Sequence, residues 1–249
     1  MLDIVYVSGP GRDEELKYSL RTLEYYGSNY GRIIIVGYIP NWLGEKENLI
    51  TLRYEDVPYN GCKQVLINEC IDYAVKNVPD LTDHFLYSSI DHFLKENVDF
   101  NNYPLFCRCK PLRSSVIEYD QLLRNTETVL LDHNYSTIHF AMHRNTHFFK
   151  QLWLSDLVQA LIKVRYEFEP SVLMGNMFLK HAVMNNYDGI VIPLLVTRDV
   201  KLENGNLTTF HDMIANNKTY QFMSSSEEMF QYIKKIIDDL QIPKSSFEK

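Results

Sequence analysis

The chain has 249 residues, 45% of them hydrophobic and 23% charged, enough apolar material for one α/β domain with a sizeable core. A formal net charge of −7 opposes non-specific coating of nucleic acid. No apolar run reaches the ~20 residues of a membrane span, and Met1-Leu2-Asp3 puts an acid where a secretion signal carries basic residues; a cytosolic protein is expected. Without export, Cys62, Cys70, Cys107 and Cys109 imply no disulfide framework, and no second ligand pair suggests zinc.

Leu2 to Val7 reads as a buried strand, ended by Ser8-Gly9-Pro10-Gly11. Asp13-Glu14-Glu15 opens a helix with acids at the positive end of its dipole, and Leu16, Leu20, Leu23 and Tyr26 form its apolar stripe, with Gly27 as the stop. Arg32 to Gly37 and Leu49 to Arg53 are further strands, and Cys62 to Lys76 is a helix. Phe85-Leu86-Tyr87 heads a fourth strand running to Ser88-Ser89-Ile90-Asp91. Strands separated by helices predict βαβ units and a mostly parallel sheet flanked by helices. Beyond it, Val116 to Leu131, Asn145 to Val164 and Ser171 to Met184 read as helical, and Gly189 to Leu195 as strand. Asn204-Gly205 is a turn signal. Ser224 to Ser226 cap a final helix from Glu227 to Leu240, whose inward side is Met229, Phe230, Ile233, Ile236, Ile237 and Leu240. With no repeat and no linker, one domain covers 1–249, a nucleotide-binding half at about 1–110 preceding an acceptor-side half at about 111–249.

Ligands of parallel sheets bind beyond the carboxyl ends of the strands, which singles out the Ser8-to-Arg12 loop and the Ser88-to-His92 segment. Gly9 and Gly11 lack the third glycine of a dinucleotide fingerprint and the Gly-Lys-Ser/Thr of a P-loop; they read as a tight turn or as the lining of a nucleotide pocket. Asp91 is either a helix cap or turn former, or a ligand for Mg2+ or Mn2+ bridging a diphosphate, with His92 as a second ligand. His139, His143 and His147 recur every four residues without the glutamate of a zincin; His143 and His147 read as core or surface residues. Arg108, Lys110 and Arg113 form a basic cluster, by default a solvated strand edge and otherwise a phosphate or nucleic-acid contact.

Three stretches together resemble a known family: Asp13 to Glu24 (DEELKYSLRTLE), Ile34 to Leu43 (IIVGYIPNWL) and Asp83 to Phe93 (DHFLYSSIDHF). They resemble conserved regions of Stealth-type sugar-phosphate transferases, and still more a group of short phage-associated proteins with a glycosyltransferase fold of the GT-A kind. That group also ends in a proline, a serine and a Phe/Tyr-Glu pair, matched by Pro243, Ser245 or Ser246, Phe247 and Glu248. The resemblance implies a GT-A-like single domain binding a nucleotide-sugar, such as a UDP-sugar, at the carboxyl edge. Arg21 would help hold the donor, Asp91 would end the acidic metal or phosphate motif, and His139 would lie near the reaction centre. Asp199 and Lys201 would form a late Asp-x-Lys element meeting the diphosphate. Ile90 stands where the family carries the first of two adjacent acids.

The leading expectation is a glycosyltransferase moving a sugar to a hydroxyl acceptor. Asp91 with a divalent cation, helped by Lys201 and Arg21, would neutralise the leaving diphosphate. His139, then His92, would meet the acceptor hydroxyl. The acceptor is open between a hydroxylated pyrimidine in DNA, contacted by Arg108, Lys110 and Arg113, and a surface glycan. Sugar-1-phosphate transfer is the second reading, and a non-catalytic binding module, favoured by Ile90, is the third.

Overall fold

The computed structural model describes residues 1–53, 55, 63–103, 105–108, 112–114, 116–137, 140–141, 146–184, 191–193, 222–224 and 227–249; for 105–108, 140–141, 179–184, 191–193, 222–224 and 227–229 it describes the backbone alone. The central sheet joins β1 (Leu2–Ser8), β3 (Tyr30–Gly37), β4 (Leu49–Arg53), β5 (His84–Ser89) and β10 (Thr146–Phe149) in the order β10-β5-β1-β3-β4. The β5-β1-β3-β4 pairs are all parallel, and β10 adds an antiparallel edge.

Helices cover both faces of this sheet, which is why its central strands read as continuous apolar runs. Helix α1 (Asp13–Tyr26) lays Leu16, Leu20 and Leu23 against Ile4, Tyr6, Ile33, Ile35 and Leu86. On the opposite face, α2 (Lys63–Asn77) packs Cys70, Ile71, Ala74 and Val75 against Val5, Ile34, Val36, Phe85 and Tyr87. The same core takes in Trp153 from α4 (Lys150–Trp153), Val158 from α5 (Asp156–Lys163), Val172, Leu173, Met174 and Met177 from α6 (Pro170–Met184), and Leu123 and Leu130 from α3 (Ile117–Asp132).

Smaller pairings surround the sheet. Strand β2 (Gly27–Ser28) pairs with β7 (Val98–Asp99), β6 (His92–Leu94) with β12 (Phe222–Ser224), and β8 (Leu105–Arg108) with both β9 (Phe140–Ala141) and β11 (Val191–Pro193). The last helix, α7 (Glu227–Asp239), packs Phe230, Ile233, Ile236 and Ile237 with Tyr18 and Phe93.

Four expectations change. Thr146–Phe149 is a strand, not the start of a helix: a β-branched residue followed by aromatics suits the pleated edge beside Phe85 and Tyr87, and helix resumes only at Lys150, broken again between α4 and α5. This also removes His147 from any helical histidine face. Leu240 lies just past α7 and is exposed, not inward. Ser224 ends β12 and does not cap; Ser225, Ser226 and the side chain of Met229 lie outside the described residues. Finally, no helix follows Asp91, because His92 begins β6, so the cap reading of Asp91 falls.

Candidate functional site

From β1 the chain crosses to β3 and then β4 on one side, while β5 lies on the other side of β1. The crevice at a parallel sheet's reversal of strand order is its usual ligand position, here between the carboxyl ends of β1 and β5. The Ser8-to-Arg12 loop leaves β1 at that point and Asp91 follows β5, with Val7 paired to Ser89. Gly9 and Gly11 face open space, and Gly11 has φ +82°, a backbone conformation that a side chain would strain.

Asp91 is partly open, its side chain 23% exposed, whereas the neighbouring His92 is 4% exposed. Ser89 Oγ donates a hydrogen bond to Asp91 Oδ1, and His92 Nε2 lies 3.8 Å from the same oxygen. Burial works against ionisation of Asp91, but the charges of His92 and Arg12 and the Ser89 hydrogen bond outweigh it and hold the carboxyl below its ordinary range. Asp91 is therefore a fixed negative charge at the crevice.

Arg12 supplies the opposite charge. Glu15, one helical turn on, grips it through two contacts of 2.7 Å, Nη2 to Oε1 and Nε to Oε2. The guanidinium stays 28% exposed while Glu15 is buried. Burial raises the Glu15 pKa, Arg12 opposes that, and the charge of Asp91 adds to it; the three groups feel one another across the mouth of the crevice. Ser8 Oγ and Asp13 Oδ1, both buried, have no hydrogen-bond partner among the described residues. Unsatisfied buried polar atoms cost about 1–3 kcal/mol, so this edge carries polar capacity that the fold does not use.

Helix α1 also holds the other wall. Ser19 Oγ donates to the His92 carbonyl at 2.6 Å, and Thr22 Oγ1 accepts from the Leu94 amide at 3.0 Å. Ser19 and Thr22, polar residues in the helix's buried stripe, thus pin β6, and with it the Asp91 turn.

The predicted site residues separate into groups. Gly9, Gly11, Asp91 and His92 are brought together at the crevice. Arg21 lies on α1 two turns beyond Glu15, 11% exposed, with Nε 2.6 Å and Nη2 2.8 Å from the Glu248 carboxylate. Arg113 is paired with Glu127 at 2.8 Å, and Arg108 is described only as backbone in β8. Lys110, His139, His143, Asp199 and Lys201 lie outside the described residues. Arg12 and Glu15 are the residues that sequence reasoning passed over. Their signal was present as an Arg-x-x-Glu pair at the first turn after a strand, but attention stopped at the glycines.

A hard divalent cation takes about six or more oxygen ligands. Among the described residues no group of three His, Cys, Asp or Glu side chains is arranged to hold one. The Glu15 oxygens are occupied by Arg12, and the His92 ring is buried. That leaves Asp91 as a single carboxylate, so a cation there would need most of its ligands from elsewhere.

No family model matches the chain. It is 30% identical over 99 residues to the exopolysaccharide phosphotransferase CpsY of Mycobacterium tuberculosis and to that of Mycobacterium bovis, a stretch that is 35% of this chain and 19% of those proteins. Among solved structures, the glycosyltransferase GlyE of Streptococcus pneumoniae TIGR4 aligns with a TM-score of 0.42 and 11% identity over 98% of this chain and 65% of its own. An active-site mutant of LgtC aligns with a TM-score of 0.40 and 10% identity, over 93% of this chain and 100% of its own. The chain is similar to an exopolysaccharide phosphotransferase over about a third of its length, and its mixed α/β architecture has a mostly parallel sheet flanked by helices.

Proposed function

We propose that the crevice binds a nucleotide-sugar and transfers its sugar phosphate to a hydroxyl acceptor. The observation that carries the reading is the placement, at the reversal point of the sheet, of the partly exposed Arg12–Glu15 ion pair and the ionised carboxylate of Asp91, near enough for their charges to act on one another. A lone carboxylate would repel a diphosphate; Arg12 beside it, or a divalent cation carried in with the donor and held by Asp91, makes the place attractive to one. Such a cation, when bound, neutralises the charge of the leaving group. The sequence similarity to an exopolysaccharide phosphotransferase supports phosphoryl over glycosyl transfer.

In this reaction the acceptor oxygen forms a bond to the phosphorus that carries the sugar. The anhydride P–O bond breaks, and a nucleoside monophosphate leaves with the electron pair. Arg12, fixed by Glu15, meets the phosphoryl oxygens, and Glu15 keeps its guanidinium from swinging away. Ser89 and Ser19 hold the Asp91–His92 turn. His139 takes the acceptor's proton, and Lys201 with Asp199 assists at the diphosphate; these three roles rest on the family resemblance. Arg21 is committed to Glu248 and has no part in the reading. A DNA acceptor has no observation behind it: of the basic cluster, Arg108 is described as backbone alone and Lys110 lies outside the described residues.

The test is thermal shift against a panel of nucleotide-sugars with and without Mn2+, followed by 31P NMR of the product. A ligand at about 100-fold excess over its dissociation constant stabilises by ~2.7 kcal/mol. A shift with one donor, then a phosphodiester resonance in the product and released nucleoside monophosphate, is the expected result. A phosphorus-free product with released nucleoside diphosphate would convert the reading to glycosyl transfer. No shift with any donor would end it.

A further inference from the structure

A second cleft, of about 430 Å3, lies on the α1 side of β4 and is lined by Asn41, Gly44, Glu45, Lys46, Arg53 and Lys249 among others. Its size falls within the ~300–1,000 Å3 of small-ligand sites. Three of these side chains are cationic against one glutamate, in a chain whose net charge is −7. Among the described residues Glu55 lies 3.8 Å from Arg53; both are largely exposed, so the pair is weak and readily exchanged for another anion.

The far wall is assembled by the Pro-Ser-Phe/Tyr-Glu element noted in the sequence. Phe247 is 1% exposed and anchors residues 245–249 in the α1 core. Glu248 is gripped by Arg21. Gly44 N donates to Phe247 O at 2.7 Å and Lys249 N to Trp42 O at 2.9 Å. Lys249 Nζ reaches Asn41 O at 3.2 Å. An ammonium group is thus carried to the cleft on a backbone fixed at three successive residues.

The cleft also lies in line with the crevice. Arg53 pairs with Gly37, Gly37 with Ser8, and the neighbouring Val7 with Ser89. Arg53 is therefore three strand spacings, roughly 14 Å, from Ser89 along the same carboxyl edge. A short oligosaccharide reaching from Asp91 would arrive at this cleft.

We propose that the cleft is a second oxyanion subsite that holds a phosphate or carboxylate group of the acceptor chain, so that the acceptor is an acidic glycan or polymer. The assignment of an acceptor rests on the transferase reading above; the binding of anions in the cleft does not. Lys46, Arg53 and Lys249 grip the oxyanion, and the Arg12–Asp91 crevice holds the donor at the other end of the edge.

The experiment is calorimetric titration at low ionic strength of the wild type, Lys46→Ala/Arg53→Ala, Lys249→Ala and Arg12→Gln. The probes are tripolyphosphate, tetragalacturonate and UDP. All substituted positions carry exposed or partly exposed side chains, and the melting temperature of each variant checks its fold. Tripolyphosphate or tetragalacturonate, whichever names the acidic group, is expected to bind the wild type and to weaken at least ~10-fold in the double variant. Lys249→Ala weakens it less, and Arg12→Gln leaves it unchanged. Binding falls as salt rises. Equal affinity of the double variant and the wild type for both polyanions, or no binding of either to the wild type, would overturn the proposal. UDP should respond the opposite way, lost in Arg12→Gln and kept in the double variant. Failure of UDP to bind the wild type would strike the donor reading and leave the cleft result standing.

Discussion

Asp91 and His84 are both partly buried ionisable residues on or next to β5, yet their surroundings drive them in opposite directions. Asp91 is met by positive charge and by the Ser89 hydroxyl, so it stays charged. Asp91→Asn keeps the shape and removes the charge. The expected outcome is loss of transfer by about 100-fold or more, with a melting temperature close to wild type; unchanged turnover in a steady-state assay would remove Asp91 from the site. His84 Nε2 instead lies 2.5 Å from His147 Nδ1, with Phe149 stacked on His84 at 4.4 Å and Tyr103 tilted against His147 at 5.4 Å. One ring nitrogen donates and the other accepts, which requires at least one of the two rings to stay neutral. Burial, and then the charge of His147, push the His84 pKa down to about 3. A folded pKa below the unfolded one contributes stability above the unfolded value, and that stability is lost as pH falls from about 6.5 toward 3. Denaturation midpoints should drop across that window with a slope of up to about 1.4 kcal/mol per pH unit from this one proton. His84→Phe should flatten the profile, and a profile as steep as wild type would assign the acid sensitivity elsewhere.

At the scale of elements, the crevice depends on how closely β1 and β3 approach at their carboxyl ends. Gly37 ends β3 with φ +107°, and a Cβ there would lie 2.4 Å from the Ser8 carbonyl oxygen. The same oxygen accepts the Tyr38 amide at 2.9 Å, so the strand cannot back away without losing that bond. Gly37→Ala should cost about 2 kcal/mol or more, from backbone strain together with a displaced ladder. Urea denaturation measures it; a cost below about 0.5 kcal/mol would show that the strand ends can part. Because Ser8 begins the crevice loop, the same variant should weaken donor binding. Helix α1 is the second such element: one face fills the core, its first turn carries Arg12 and Glu15, and Ser19 and Thr22 hold β6.

Across the whole molecule, residues 245–249 return to α1 and tie the two ends of the chain together. Arg21, stacked over Tyr18 at 4.6 Å, meets Glu248, while Tyr18 OH donates to Asp238 at 2.8 Å. Burial tends to raise the Glu248 pKa, but Arg21 and the Ser245 amide outweigh it and lower the carboxyl. Its stabilisation is thus present at neutral pH and lost as pH falls through the carboxylate range. Glu248→Ala leaves the nearly buried Arg21 guanidinium with Asp238, 4.0 Å from Nη1, in place of its two short contacts and should cost about 2 kcal/mol, read as a lower urea midpoint at pH 7 and a much smaller difference at pH 3. An equal difference at both pH values would mean that packing, not charge, holds the segment.

Periodicity by itself determined the parallel α/β plan. The short runs of Ile4–Tyr6 and Ile33–Val36, rich in β-branched residues and followed by glycines, suit strands covered on both faces, and the Leu16–Leu20–Leu23 stripe suits a helix. The position of Asp91 at a strand's end was likewise legible, because an apolar run stopping at a carboxylate marks where a strand leaves the core. Tertiary structure alone decided the rest. Strand order, which sets the reversal point between β1 and β5, arises from long-range pairing that local pattern does not encode. Four residues such as Thr146–Phe149 suit helix or strand until a neighbouring edge offers unpaired backbone groups. The charge partner of a residue is also a property of space: Arg12 faces Asp91 and Arg21 faces Glu248 because folding brings together groups separated by about 80 and by 227 positions, and only there does burial give those charges their strength.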